Sequence, residues 1–346
     1  MAKNIRDTVT FPHGPVATNR IAMAPITNWQ SHDDGTLSDA EYKWLTMRSN
    51  SGFGLTMTCG AFVEMNGKGF PGQLGIHNDH MLPGLTRFAK GLKENGSVAI
   101  AQLIHGGMRA SEELTGMQPV SASDQAKFNA RALTTEEVEQ VIESFIQAAE
   151  RAEKAGFDGV EVHGAHGYLL CQILSPTLNQ RTDKYGGSLE NRARVIFDIV
   201  DGIRQRCHKD FNISVRLSPE RFGMKLGEII EVARKLLSHG QIDFLDMSLW
   251  DFKKEPEEEA FKGKSLMSYF TELDRGSVKL GVAGKIMTSA DVDLAIDQGA
   301  DFVLIGRGGI LHHDFAVQAL EASDFSSVPL PVTADYLKGE GLSDAF

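Results

Sequence analysis

The sequence predicts a (β/α)8 TIM barrel built as one domain, and three observations carry that expectation. Eight short apolar runs, rich in β-branched residues, recur along the 346 residues, each closed by turn or polar residues. Segments with helical periodicity lie between them, and strict alternation of strands and helices marks an α/β protein. No low-complexity stretch or linker divides the chain, so eight units over this length fit a closed barrel better than an open doubly wound sheet.

The strand runs are "NRIAMAP" (19–25), "GLTMTCG" (54–60), "VAIAQLIH" (98–105) and "GVEVHG" (159–164), followed by "NISVRLSP" (212–219), "FLDMSLW" (244–250), "KLGVAGK" (279–285) and "DFVLIGRG" (301–308). Uninterrupted apolar runs suit strands buried on both faces, as in a parallel sheet. The clearest helix is "LTTEEVEQVIESFIQAAERAEKAG" (133–156). Thr134 and Glu137 form a capping-box pattern, Val138, Ile142, Phe145 and Ala149 make one stripe, and Gly156 marks the stop. Segments 188–207 and 288–301 follow the same grammar, with Ser188 and Thr288 as N-caps. The barrel is expected over about 19–322, with a C-terminal tail at 323–346. Before the first strand, "TVTFPHGPVATN" is expected to form a short N-terminal hairpin closing the barrel bottom. The charged stretch "DFKKEPEEEAFKGK" (251–264) reads as a solvated loop on the strand-end face.

A formal net charge of -11 argues against a broad nucleic-acid surface. Three scattered cysteines, Cys59, Cys171 and Cys207, are too few for a disulfide framework or a metal cluster, so no metal is expected. "MAKNIRDTVTF" lacks the apolar core of a signal peptide, and no long apolar run suggests a membrane span. A cytoplasmic location follows as the expectation.

Barrels of this kind gather chemistry at the C-terminal strand ends. Those ends offer Pro25, Ile26 and Thr27 after strand 1, Gly60 after strand 2, and Gln102 and His105 on strand 3. His163, His166 and Tyr168 end strand 4, Arg216 lies on strand 5, and Trp250 follows strand 6. Gly284-Lys285 and Gly306-Arg307 close strands 7 and 8. The last two pairs present backbone N–H groups at helix starts with a cation beside them, a phosphate-binding arrangement, although glycines also serve tight turns. Gln102 can donate and accept along the edge of a pyrimidine ring, Thr27 can bond a ring nitrogen or carbonyl, and Arg216 can stabilise negative charge on a reduced ring. Gln102 and Thr27 read equally well as satisfied polar residues of the barrel. Arg216 is harder to set aside, because a cation within a barrel strand needs a partner. His163, His166 and Tyr168 read as a metal site, as core residues or as a catalytic group.

The stretch "HGAHGYLLCQILSPTLNQRTDKYGGSLENRARVIFDIV" (163–200) closely resembles the signature of the Old Yellow Enzyme family, FMN-dependent NAD(P)H oxidoreductases and ene reductases. The likeness extends to "NRIAMAPIT", "QLIHGG", "VRLSP" and "GADFVLIGR". It implies a non-covalently bound FMN, with NADH or NADPH as reductant and an activated alkene (enone, enal, nitroalkene or quinone-like acceptor) as small-molecule substrate. Pro25, Ile26, Thr27 and Gly60 would line the flavin, Gln102 its pyrimidine, and Arg216 the N1/C2 edge. Gly284, Lys285, Gly306 and Arg307 would hold the phosphate. His163 and His166 would bond the substrate oxygen, and Tyr168 would supply the proton. Trp29, Phe62, Trp250 and the loop 251–264 would border the substrate side, or else are ordinary packing aromatics and a solvated charge run. Relatives often form dimers or tetramers.

Two positions depart from the family pattern. Met108 stands where the family usually has arginine, with Arg109 next to it, and "ILHHDF" after Arg307 lacks the usual proline. The chain also lacks the cysteine cluster of iron–sulfur relatives and ends before a second nucleotide-binding domain. Two competing readings remain: a flavin-free barrel lyase or aldolase acting through Lys285 on a phosphorylated substrate, and a non-catalytic flavin sensor or electron-transfer protein.

Overall fold

The chain closes on itself through eight parallel strands. The computed structural model describes residues 3–345; Met1, Ala2 and Phe346, the outer ends of the expected domain, lie outside the described residues. The barrel strands are β1 (Ile21–Met23), β2 (Leu55–Met57), β3 (Val98–Ile104), β4 (Gly159–Gly164), β5 (Asn212–Leu217), β6 (Phe244–Ser248), β7 (Lys279–Ala283) and β8 (Phe302–Ile305). Each pairs in parallel with the next. The ring shuts where β1 pairs β8, Ile21 opposite Val303. A two-residue strand, Ala61–Phe62, adds to the end of β3.

Outer helices alternate with the strands: α1 (Asp39–Ser49), α2 (Leu82–Lys93), α3 (Thr135–Ala155), α4 (Leu189–Arg206), α5 (Leu226–His239), α6 (Ser268–Thr271), α7 (Ser289–Asp297) and α8 (Phe315–Glu321). The caps fall where the sequence put them. Thr134 and Glu137 complete a capping box at α3, and Gly156 ends it in the left-handed region at φ 92°. Ser188 and Thr288 accept from the backbone N–H of Asn191 and Asp291.

Two apolar layers result. The outer one packs helices on strands, with Val138, Ile142, Phe145 and Ala149 of α3 facing the barrel. The inner one fills the barrel bottom with Leu55, Met57, Val98, Ile100, Phe244 and Phe302, and the expected hairpin seals it. Val9 and Ala17 exchange backbone hydrogen bonds across that hairpin. Its Phe11 ring rests 5.4 Å from Phe244 and 5.9 Å from Phe302. The bottom is thus closed by apolar side chains, and the cavities open at the opposite, C-terminal strand ends.

The stretch 251–264 is the expected exposed loop only in part. Three of its charged residues are tied to the barrel, Asp251 to Lys285, Lys253 to Asp291 and Lys254 to Glu220, while Glu255, Glu259 and Lys262 stay exposed. Phe252 is fully buried beneath them. Charge runs look solvated in sequence because their partners lie far away in it. The tail also docks: Glu340 backbone oxygen accepts from Arg48 of α1, and Ser343 N–H donates to Gln30.

Candidate active site

At the C-terminal end of the barrel, two adjoining cavities of about 410 and about 120 Å3 share Pro25 and Arg216 as walls. The larger is lined by Ile26, Trp250, Gly284, Lys285, Gly306 and Arg307. The smaller is lined by Thr27, Gly60, Gln102, His163, His166 and Tyr168. A groove of about 590 Å3 lies on the outer wall between α4 and α5. It is larger, but convergent polar groups of perturbed acidity are found in the strand-end cleft, which makes the cleft the site.

The histidines come from the end of β4 and the turn after it. His163 Nε2 and His166 Nδ1 stand 3.2 Å apart, and His166 Nε2 is 2.7 Å from Ser248 Oγ. His166 is fixed from its backbone too, donating to Ser218 Oγ at 3.0 Å. Burial lowers the pKa of both rings, helped for His166 by the cations Arg216 and Arg109, which bring it to about 3. For His163 burial again leads, followed by His166 and Arg216, and the value falls well below the ordinary range. Both rings are therefore neutral at pH 7, with one N–H each. Tyr168 lies beside them, its ring 5.4 Å from that of His163. Burial raises its hydroxyl above the usual range while Arg109 opposes, so it stays protonated and able to give a proton.

Arg216 finds the partner its burial demands. Its Nε is 3.0 Å from Asp246 Oδ2, one strand away, although the angle makes no complete hydrogen bond. Gln102 Nε2 donates to buried Glu161 at 2.8 Å. Glu161 and Asp246 are buried acids that sequence reasoning passed over, as it did Ser218 and Ser248. The signal was there: a single acid inside each of the apolar runs "GVEVHG" and "FLDMSLW".

Beyond Arg216 the cleft runs to the β7 and β8 loops. A Cβ built on Gly306 meets only Ile26 Cδ1, at 3.7 Å, so this wall is open. Arg307 is exposed there, and Lys285, at φ 52°, pairs with Asp251 at 2.9 Å. That ion pair and its exposure remove the desolvated amine a Schiff-base lyase needs. Of the seven non-glycine residues at positive φ among the described residues, six stand on strand-end loops: Trp29, His166, Arg221, Phe222, Trp250 and Lys285. Each such conformation costs roughly 1–3 kcal/mol and concentrates where binding or catalysis holds it.

Two substrate-side expectations need correction. Phe62 is fully buried and stacks on His77 at 4.8 Å, pressed against Gly35 and Gly75, so it lines neither cavity. Phe70 takes that part of the cleft wall. Trp29 lies outside both cavities and is 48% exposed, whereas Trp250 lines the larger one and is capped by Arg221 at 4.4 Å. At the departures from the family pattern, Met108 is buried while Arg109 reaches over the rings of Tyr168 and Phe222. After Arg307 the chain makes one short helix, Arg307–Leu311, before α8. Among the described residues no group of three His, Cys, Asp or Glu side chains could hold a metal ion. No helix among them is long and apolar enough to cross a membrane.

Comparison with known proteins adds a lineage to this geometry. A model of the NADH:flavin oxidoreductase / NADH oxidase family matches residues 16–323. "Probable NADH-dependent flavin oxidoreductase YqiG" of Bacillus subtilis (strain 168) is 36% identical over 333 residues, covering 93% of this chain and 89% of its own. "NADH:acrylate oxidoreductase" of Vibrio harveyi is 35% identical over 91% of this chain, which spans only 33% of that protein. The solved old yellow enzyme homologue from Zymomonas mobilis superposes with a TM-score of 0.85 at 25% identity, covering 99% of both chains.

Proposed function

Because the chain belongs to the NADH:flavin oxidoreductase / NADH oxidase family, as an FMN-dependent NAD(P)H oxidoreductase of the Old Yellow Enzyme type, we propose that it reduces activated alkenes. The acceptors would be enones, enals, nitroalkenes or quinone-like compounds. The observation that carries this reading is the convergence of His163 Nε2 and His166 Nδ1, 3.2 Å apart, beside a protonated Tyr168.

The residues of the cleft fit FMN. Arg216 offers a buried guanidinium with no complete hydrogen bond among the described residues, suited to the N1/C2 edge of the ring. Gln102 would meet the pyrimidine, and Thr27, Pro25, Ile26 and Gly60 would flank the ring. The open wall at Gly306, with Gly284, Lys285 and Arg307, suits the phosphate. When bound, FMN supplies two-electron chemistry, hydride received from NADH or NADPH and passed to the alkene's β carbon.

The side chains do the rest. A carbonyl oxygen lodged between His163 and His166 accepts from both rings, and those donors stabilise the charge that builds on it. Neutral rings suit this task, since they hold the oxygen without protonating it. Tyr168 then gives its proton to the α carbon as general acid. Arg109, whose guanidinium lies 5.8 Å from the Tyr168 ring, favours the tyrosinate left behind. Three free, buried cysteines suit a reducing compartment such as the cytoplasm.

The test is anaerobic NADH and NADPH consumption by the holoenzyme with a panel of enones, nitroalkenes and quinones. Saturated products in step with nucleotide oxidation are expected. Flavin reduction without consumption of any alkene would leave a sensor or electron-transfer protein in its place.

A further inference from the structure

Beneath the cleft lie two acids that the chemistry above leaves unused. Glu161 and Asp246 sit within β4 and β6, both fully buried. The register of the sheet decides what they meet. Gln102 is level with Glu161 across β3 and β4, and Arg216 is level with Asp246 across β5 and β6. Gln102 Nε2 donates to Glu161 Oε1 at 2.8 Å, and Arg216 Nε lies 3.0 Å from Asp246 Oδ2. Glu161 Oε2 and both carboxyl oxygens of Asp246 are buried without a hydrogen-bond partner. One guanidinium cannot neutralise two buried carboxylates, whereas a single proton between the acids removes one charge and joins two orphaned oxygens.

We propose that Glu161 is a neutral acid bridge, accepting from Gln102, donating to Asp246, and leaving Asp246 as the counter-ion of Arg216. Burial and the charge of Asp246 push the Glu161 carboxyl well above its ordinary range, against Arg216 and Gln102. Burial also raises Asp246, while Arg216 and the bond from Glu161 hold it down. With the guanidinium 3.0 Å from Asp246 Oδ2 and only a neutral amide on Glu161, the charge stays on Asp246 and the proton on Glu161.

Two consequences follow for the cleft. Gln102 has its amide N–H committed below, so its oxygen is turned to the ligand, beside Gly60, where a built Cβ stands 3.1 Å away. An oxygen there selects a ligand edge that donates, as the N3–H of a flavin pyrimidine does. Asp246 in turn tempers the charge that Arg216 presents. Glu161 and Asp246 are thus positioning residues, acting through Gln102 and Arg216, and their effect on flavin rests on the reading that those two face FMN.

Four holoenzyme variants test this: E161Q, E161A, D246N and Q102A. The wild-type infrared spectrum at pH 7 should contain a buried carboxylic-acid C=O stretch that E161Q lacks. FMN should bind about tenfold more weakly to E161A, which frees Gln102, and within about threefold of wild type to E161Q, whose amide can make both bonds. D246N should raise the flavin midpoint potential, and E161Q should leave it in place. An E161Q shift as large as that of D246N, or no acid band, overturns the bridge. So does unchanged FMN affinity in E161A where Q102A weakens it. If Q102A leaves FMN affinity unchanged, the flavin-facing reading of Gln102 fails and the bridge loses its effect on flavin, while the infrared band still decides the proton. Should E161A not fold, the spectrum and potential of E161Q decide.

Discussion

His163 Nε2 faces His166 Nδ1 at 3.2 Å, and the far nitrogen of His166 is 2.7 Å from Ser248 Oγ. If the Ser248 hydroxyl donates to that far nitrogen, the proton of His166 stays on Nδ1, aimed at the same point as His163 Nε2. Two neutral rings then offer two donors to one oxygen. Replacing either histidine by alanine should lower kcat for enone reduction by roughly 10²–10³, the usual effect of losing one oxyanion donor. His166→Asn should recover part of the loss through its amide N–H. Ser248→Ala, which releases the tautomer without touching the oxygen, should give a smaller loss of roughly tenfold. Steady-state kinetics on one enone ranks all four variants.

Tyr168→Phe separates proton delivery from everything before it. Reduction of FMN by NADH or NADPH should proceed at the wild-type rate, while enone turnover falls by roughly 10²–10⁴. Rapid-mixing measurements of the two half-reactions show which one moved. An unimpaired enone half-reaction would remove Tyr168 from the mechanism.

The histidine pair also sets a pH signature. In the unfolded chain each histidine takes up a proton near pH 6.5, whereas folded His166 does so only at about 3 and His163 well below its ordinary value. Below about pH 6.5 the unfolded state binds more protons, so stability falls on acidification, by about 1.4 kcal/mol per pH unit for each ring. His166→Asn removes one of the two contributions. Denaturant unfolding from pH 7 to pH 5 should therefore weaken wild type more steeply than the variant. Parallel slopes would mean that His166 is charged, or becomes so, in the folded protein.

Arg307 lies exposed at the open end of the cleft with no ion pair or hydrogen bond from its side chain among the described residues. If it holds the FMN phosphate, Arg307→Ala should weaken FMN binding by roughly ten- to a hundredfold, as expected for a charge-assisted bond. Gly60→Ala should weaken it by a different route. Its Cβ would stand 3.1 Å from Gln102 Oε1 and 3.0 Å from Ile104 Cγ2, so the amide must shift. Fluorescence titration of the apoprotein with FMN measures both.

The barrel was legible in the sequence because its signals are local. Apolar runs mark buried parallel strands, Thr134 and Glu137, three residues apart, mark the start of a helix, and Gly156 marks its stop. Helix α1 was much less visible. It buries Glu41 and Arg48 along with Trp44 and Leu45, so its apolar residues make no stripe, and Arg48 is satisfied by the distant carbonyls of Gly309 and Glu340. The cleft residues were legible one by one, since strand ends are where such barrels place polar groups. What escaped was pairing at long range. Nothing near Phe62 in sequence shows that His77, Gly35 and Gly75 enclose it, nothing in 251–264 shows its anchors on Glu220, Lys285 and Asp291, and only the ring of strands sets Glu161 beside Gln102 and Asp246 beside Arg216.

A single turnover asks the decisive question. Holoenzyme reduced anaerobically with one equivalent of NADH or NADPH is mixed with excess 2-cyclohexenone, and flavin absorbance and product are followed together. The expected result is rapid return of oxidised flavin with one equivalent of cyclohexanone, slowed in Tyr168→Phe. Flavin that stays reduced until oxygen is admitted, with no saturated ketone formed from this or any other activated alkene, would contradict the assignment of this cleft to alkene reduction.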